Sequence, residues 1–168
     1  MYTSVKGFLE DWKHEASLTL QVLDNLTDVS LKQPVSEAQQ RSLGDLAWHL
    51  VGSFGAFLNS AGLQMEVPDY KDQPTSAEAI AAAYRRVNDA AVTALAQQWS
   101  DAKLQESLRL FNFIDTTYGG VLNIMLRHQI HHRGQMTILM RQAGLVAPGL
   151  YGPNEEETAA MRAARAQQ

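Results

Sequence analysis

Three of the five histidines fall within five positions of one segment, Leu122 to Met140, LNIMLRHQIHHRGQMTILM. His128 and His132 are four residues apart, and on a helix side chains at i and i+4 stack on one face. A His-x-x-x-His pair in that register chelates a single metal ion. Two imidazoles rarely complete a site, and His49, in LAWHLVGSF, is available as a third. Buried imidazoles need polar partners, yet no carboxylate stands three or four residues from His128 or His132. A metal ion is one such partner, and a plain buried polar contact is the other; for the pair alone both readings stay open.

The elements that would position these groups are helical. With about 100° per residue, Val121, Met125, Leu139 and Ala143 define the middle of the apolar stripe on the segment that carries the histidines. His128 and His132 fall within roughly 20° of that middle and His131 about 80° away. His49 lies about 60° from Leu46 and flanks the stripe of its own helix. His14 lies opposite the stripe of the first helix and is expected in solvent. Met125, Met136 and Met140 read as core filler.

Four long helical patterns and a short terminal one divide the chain, with no convincing strand run. The first spans Ser4 to about Leu26, with Val5, Phe8, Leu9, Trp12, Ala16, Leu20 and Leu23 on one stripe. Pro34 closes a linker. The second opens at Ser42, with Asp45 three residues on, and stops near Gly62. Thr75 and Glu78 form the next capping pair, before an alanine-rich helix that runs to about Trp99. Residues 100–118 form a crossover in which SLRLFNF alternates weakly and reads as a short strand or extended chain. The fourth helix follows Gly119-Gly120 and runs to about Gln142, with Gly144 beyond its end. Asn154 and three following glutamates open the last, apolar-poor helix. The expected fold is all-α: one domain over residues 1–168, a four-helix bundle with a long crossover before helix four and a short C-terminal helix.

Composition narrows the chemistry. The chain has 168 residues, 45% hydrophobic, enough for a core without staples. It has no cysteine, which excludes disulfides, iron–sulfur clusters, thiolate zinc sites and a protein thiol nucleophile. The start has no signal-peptide pattern, and no run nears the roughly 18 apolar residues of a membrane span. A cytoplasmic protein is expected. Net charge is −4 with no Lys/Arg cluster, so neither nucleic acid nor membrane is an expected partner. Arg85, Arg86, Arg127, Arg133 and Arg141 read as a solvated helix face.

HQIHHRGQMTILMRQAG followed by PGLYGP, with LAWHL upstream, resembles the DinB/YfiT-like superfamily of bacterial metalloproteins, which is distinct from the DNA polymerase that shares the name. The likeness covers most of the chain: the helix order, the histidine on helix two and the H-x-x-x-H-R-G-Q signature on helix four. It implies a divalent metal, commonly zinc or nickel, on His49, His128 and His132, and it implies a homodimer with a stress-associated role. His131 is extra both to the motif and to the core face. Gly134 reads as allowing a close helix crossing, and Gln135 as a polar support beside the site.

Three histidines on a divalent ion leave a coordination position open, the catalytic rather than the structural pattern. The first expectation is therefore a metal-dependent enzyme acting on small molecules. Relatives that the motif resembles are transferases or isomerases that use low-molecular-weight thiols, so a small-molecule thiol or electrophile is an expected partner; a hydrolase fits the same ligand set. Asp115 and Tyr118, before helix four, are candidate acid/base groups, with turn chemistry and aromatic packing as the alternative. The second expectation is a non-catalytic, stress-associated metal-binding or interaction protein.

Overall fold

A computed structural model describes residues 1–167. Four long helices carry the core: α1 (Val5–Asp24), α2 (Leu43–Ser60), α3 (Ala77–Gln98) and α5 (Tyr118–Gln142). α1 packs on α3 and α5, and α2 packs on the same two helices, so α2 and α5 lie side by side with the site between them. Phe8, Trp12, Phe54 and Tyr84 stack through the interior with ring centroids 5.4–5.6 Å apart. No helix is long and apolar enough to cross a membrane among the described residues.

Local chemistry sets the helix ends. Ser42 accepts from the Asp45 backbone N–H while the Asp45 carboxylate accepts from Ser42, closing a capping box at the start of α2. Gly62 and Gly144 take left-handed φ just beyond α2 and α5. At α3 the cap is Ser76, which accepts from the Ala79 backbone N–H, so the Thr75–Glu78 pairing is off by one residue. A last helix, α6 (Glu155–Arg165), has the expected Asn154–Glu157 capping box and buries none of its residues; Met161 is 49% exposed.

The expectation of an all-α chain needs correction. Two antiparallel hairpins are present: β1 (Pro34–Ser36) with β2 (Gln39–Ser42), and β3 (Ser107–Leu110) with β4 (Ile114–Thr117). The first occupies the stretch assigned to a linker. Apart from Val35, which is half-buried against the core, its strands are mostly polar and exposed, so no apolar alternation reveals them. The crossover before α5 is likewise structured, as a single-turn helix α4 (Asp101–Leu104) and the second hairpin. That hairpin turns through Phe111 and Asn112, both at positive φ. A left-handed phenylalanine costs about 1–2 kcal/mol; its ring is held against Phe57, 5.4 Å away between centroids.

Two further corrections concern α5. Its buried line runs through Leu122, Met125, Gln129, Arg133, Met136 and Met140. Arg133, expected on a solvated face, is 1% exposed, and Gln129 is 2% exposed. Gly134 does not sit at a helix crossing: it is exposed, and nothing lies within 4 Å of where a Cβ would stand. Gly134→Ala is accordingly expected to stabilise the protein by about 0.5–1 kcal/mol through helix propensity alone. A urea midpoint that falls in this variant would show an unseen contact there.

Candidate metal centre

His49 comes from the middle of α2, and His128 and His132 from consecutive turns of α5. The pairing of the two helices brings the rings together. Nε2 of His128 is 3.0 Å from Nε2 of His49 and 3.1 Å from Nε2 of His132. One ligand nitrogen from each of the three histidines lies within 4.8 Å of the other two. All three rings are half-buried, with Phe57 packed edge-on to His128 at 5.0 Å. The second hairpin reaches this wall through Phe111 on Phe57.

Hydrogen-bond bookkeeping leaves this cluster incomplete without a further group. Gln135 Oε1 lies 2.7 Å from His132 Nδ1, so Nδ1 carries the proton and the Nε2 lone pair of His132 faces inward. His128 Nε2 has either one proton or one lone pair, yet it meets two other ring nitrogens. One of the two contacts is therefore unmatched. A cation between the rings resolves it, because all three nitrogens then present lone pairs. The spacing fits: tetrahedral zinc with Zn–N of about 2.0–2.1 Å places its nitrogens roughly 3.3 Å apart. His128 Nδ1 is buried without a protein partner, so that N–H is left without the carbonyl or carboxylate that usually supports a ligating histidine.

Electrostatics point the same way. Burial, and then repulsion from His132 once protonated and from Arg41, pull His49 down to about 4. Burial, and then His132 and His49, bring His128 to about 4. Burial also lowers His132, opposed by its bond to Gln135. The cluster is thus neutral at pH 7, the form that binds metal. In the metal-free protein this carries a stability signature. An unfolded histidine titrates near 6.5, so between about pH 6.5 and pH 4 the unfolded chain takes up protons that the native cluster refuses. Stability in chelator should fall across that window as pH drops, with no contribution from these groups above it. Urea midpoints that stay level from pH 7 to pH 5 would contradict it.

The other expected residues are placed less centrally. His131 is exposed, its ring 5.0 Å from that of His132, and it offers no nitrogen to the cluster. His14 is exposed. Asp115 pairs with Arg109 at 3.6 Å on the exposed hairpin. Tyr118 packs edge-on to Trp99, with Lys103 Nζ 4.2 Å from its ring centroid. Neither hydrogen-bonds to a histidine, so the structure does not bring these two acid/base candidates into the site.

Behind the histidines lies a polar interior that sequence reasoning missed. Arg133 donates to the Glu15 carboxylate, the Glu15 backbone carbonyl, Thr19 Oγ1 and the Tyr151 hydroxyl, and Tyr151 donates to Glu15. Tyr84 donates to Gln129 Oε1 at 2.6 Å. The available signal was positional: Glu15 and Thr19 continue the Phe8–Trp12 spacing of α1, and Gln129 and Arg133 continue the spacing of Met125 on α5.

The model of the DinB family matches residues 1–167. The uncharacterized protein YrdA of Bacillus subtilis (strain 168) is 45% identical over 163 residues, 95% of each chain. The crystal structure of a DinB-like protein from Bacillus cereus ATCC 10987 superposes with a TM-score of 0.85 at 42% identity, covering 90% of this chain and all of that one. With the match spanning the three histidines and the helices that carry them, the chain belongs to the DinB family.

Proposed function

We propose that His49, His128 and His132 hold a divalent metal ion, zinc or nickel, and that the protein is a metal-dependent enzyme acting on small molecules, a thiol-using transferase or isomerase or a hydrolase. The observation that carries this is the convergence of three Nε2 atoms with the His132 tautomer fixed by Gln135. A divalent ion there supplies a Lewis acid with one coordination position left for a substrate atom. The chain's own residues do the rest. Gln135 holds the His132 ring in place. Phe57 and Phe111 shield one side of the site from water. The helices act as a four-helix bundle in a cytoplasmic homodimer, in which α6, with no buried residue of its own, finds a surface to pack against.

A second reading is favoured by one observation: among the described residues no carboxylate hydrogen-bonds to any of the three rings, so the site has no acidic partner bonded to its ligands. On that reading the protein is a non-catalytic, stress-associated metal-binding or interaction module. Cobalt substitution separates the two. An enzyme with an open position should change its visible spectrum when a small thiol or an anion is added, whereas a closed, inert site should not respond. Elemental analysis of protein purified without a histidine tag should find about one metal per chain, and its absence would remove the first reading. Light scattering at micromolar concentration should give twice the 18.6 kDa chain mass; a monomer would remove the dimer.

A further inference from the structure

One turn along the α2–α5 groove from the histidines lies a second feature, a pocket of about 290 Å³ roofed by the first hairpin. Leu46 precedes His49 by one turn, and Gln135, which holds His132, forms part of the same wall. The pocket is near the lower end of small-molecule sites, which run from about 300 to 1,000 Å³. At about 30 Å³ per water it has room for roughly ten non-hydrogen atoms. Its aliphatic lining is Leu46 and Leu139 on the helices and Val35 on the hairpin above, with Ile138 at the rim 62% exposed.

Its charge is one-sided. Arg41, on β2, is the one charged residue in the lining, in a chain of net charge −4. It makes no ion pair or side-chain hydrogen bond among the described residues. Two carboxylates stand four residues from it: Asp45 is engaged by the Ser42 N–H and hydroxyl at 2.7 and 3.0 Å, and Glu37, on the hairpin turn, forms no ion pair with it. Gln39, Gln135 and Gln142 add neutral donors and acceptors around the rim.

From the aliphatic lining and the unpaired guanidinium we infer that this pocket is the substrate-selecting subsite beside the histidine cluster, and that it takes a short aliphatic chain bearing an anionic group, the chain on Val35, Leu46 and Leu139 and the anion on Arg41. Only the placing of the pocket beside a reactive centre rests on the metal reading; the recognition itself does not. A guanidinium with a carboxylate makes a charge-assisted, two-pronged bond that an amide cannot match.

The test uses hexanoate, butyrate and hexanamide as probes, titrated calorimetrically into metal-free and cobalt-loaded protein. Hexanoate should bind about tenfold more tightly than hexanamide, the loss of one charge-assisted bond. It should exceed butyrate by roughly tenfold, for two more buried methylenes. Arg41→Gln should lower hexanoate affinity about tenfold, leave hexanamide unchanged and leave cobalt stoichiometry intact. Ile138→Ser, at an exposed position that folding does not need, should weaken hexanoate and hexanamide alike. Equal binding of acid and amide, or an unaffected Arg41→Gln, would overturn the subsite. Failure to take up cobalt would instead overturn the metal reading, while the metal-free titration would still report on the pocket.

Discussion

Replacing His132 by alanine is expected to abolish tight binding of divalent metal, and replacing its neighbour His131 is expected to leave it. The two residues share one chemistry and are adjacent in sequence, so only geometry separates them. His132 Nε2 stands 3.1 Å from His128 Nε2, with its other nitrogen fixed by Gln135, while His131 is turned to solvent. His49→Ala and His128→Ala should behave as His132→Ala does, each removing one of three nitrogens from the cluster. Losing a supporting partner typically costs about 10–100-fold in affinity, so loss of a ligand should exceed a hundredfold. Gln135→Ala, which frees the His132 ring to turn, should fall within that smaller range. Competition titration against a chromophoric chelator measures all five variants, with circular dichroism to show that each is folded. If His131→Ala lost its metal and His132→Ala kept it, the arrangement of the three rings would be wrong. The metal-free variants carry an independent check: each ligand replaced by alanine removes one half-buried imidazole that resists protonation, so the acid-side loss of stability should shrink.

The parts of this site legible in the sequence are those that rest on helical spacing. The i, i+4 relation of His128 and His132, the exposure of His131 and the capping box at Ser42 all follow from side-chain direction within one helix. Contacts between elements were harder. His49 could be placed beside its stripe, but not at 3.0 Å from His128, since that distance depends on how α2 and α5 pair. The first hairpin was hidden because PVSEAQQRS offers only Val35 to the core, too little for an apolar alternation, and with it went Arg41 and the pocket it roofs. Arg133 was misplaced for a different reason. A charged residue inside an apolar stripe is ordinarily assigned to solvent, and the partner that permits its burial, Glu15, is 118 residues away on α1. For Asp115 and Tyr118 the sequence left two readings open, and the structure favours hairpin pairing and aromatic packing over an acid/base role, since His128 lies ten residues, or about 15 Å of helix, beyond Tyr118.

That buried pair yields the largest expected effect on stability. Arg133 holds α1, α5 and the segment after α5 together through Glu15, Thr19 and Tyr151. Arg133→Met keeps the volume and removes every donor at once. The Glu15 carboxylate, which is buried, then retains only the Tyr151 hydroxyl, and the Glu15 carbonyl loses the guanidinium. Breaking a buried pair by removing one partner costs about 3–5 kcal/mol, because the desolvation of the remaining charge is no longer offset. For a chain of this size that corresponds to a fall in Tm of about 6–20 °C. Removing both charges should be far milder. Arg133→Met with Glu15→Met leaves an apolar contact between α1 and α5 and should recover most of the loss, since a buried ion pair and a packed apolar pair differ little in net stability. Arg133→Lys should fall between, as an ammonium keeps the charge but cannot bond the four acceptors in the planar geometry of the guanidinium. Urea midpoints at constant slope measure the series. A single Arg133→Met variant within about 1 kcal/mol of wild type would mean that water reaches Glu15 and that the pair is effectively a surface one. The metal should report the same event through position. Arg133 follows His132 directly, so once the pair is broken α5 is free to rotate about its axis. Metal affinity should then fall in Arg133→Met and return in the double variant only if apolar packing restores the register that points His128 and His132 at α2.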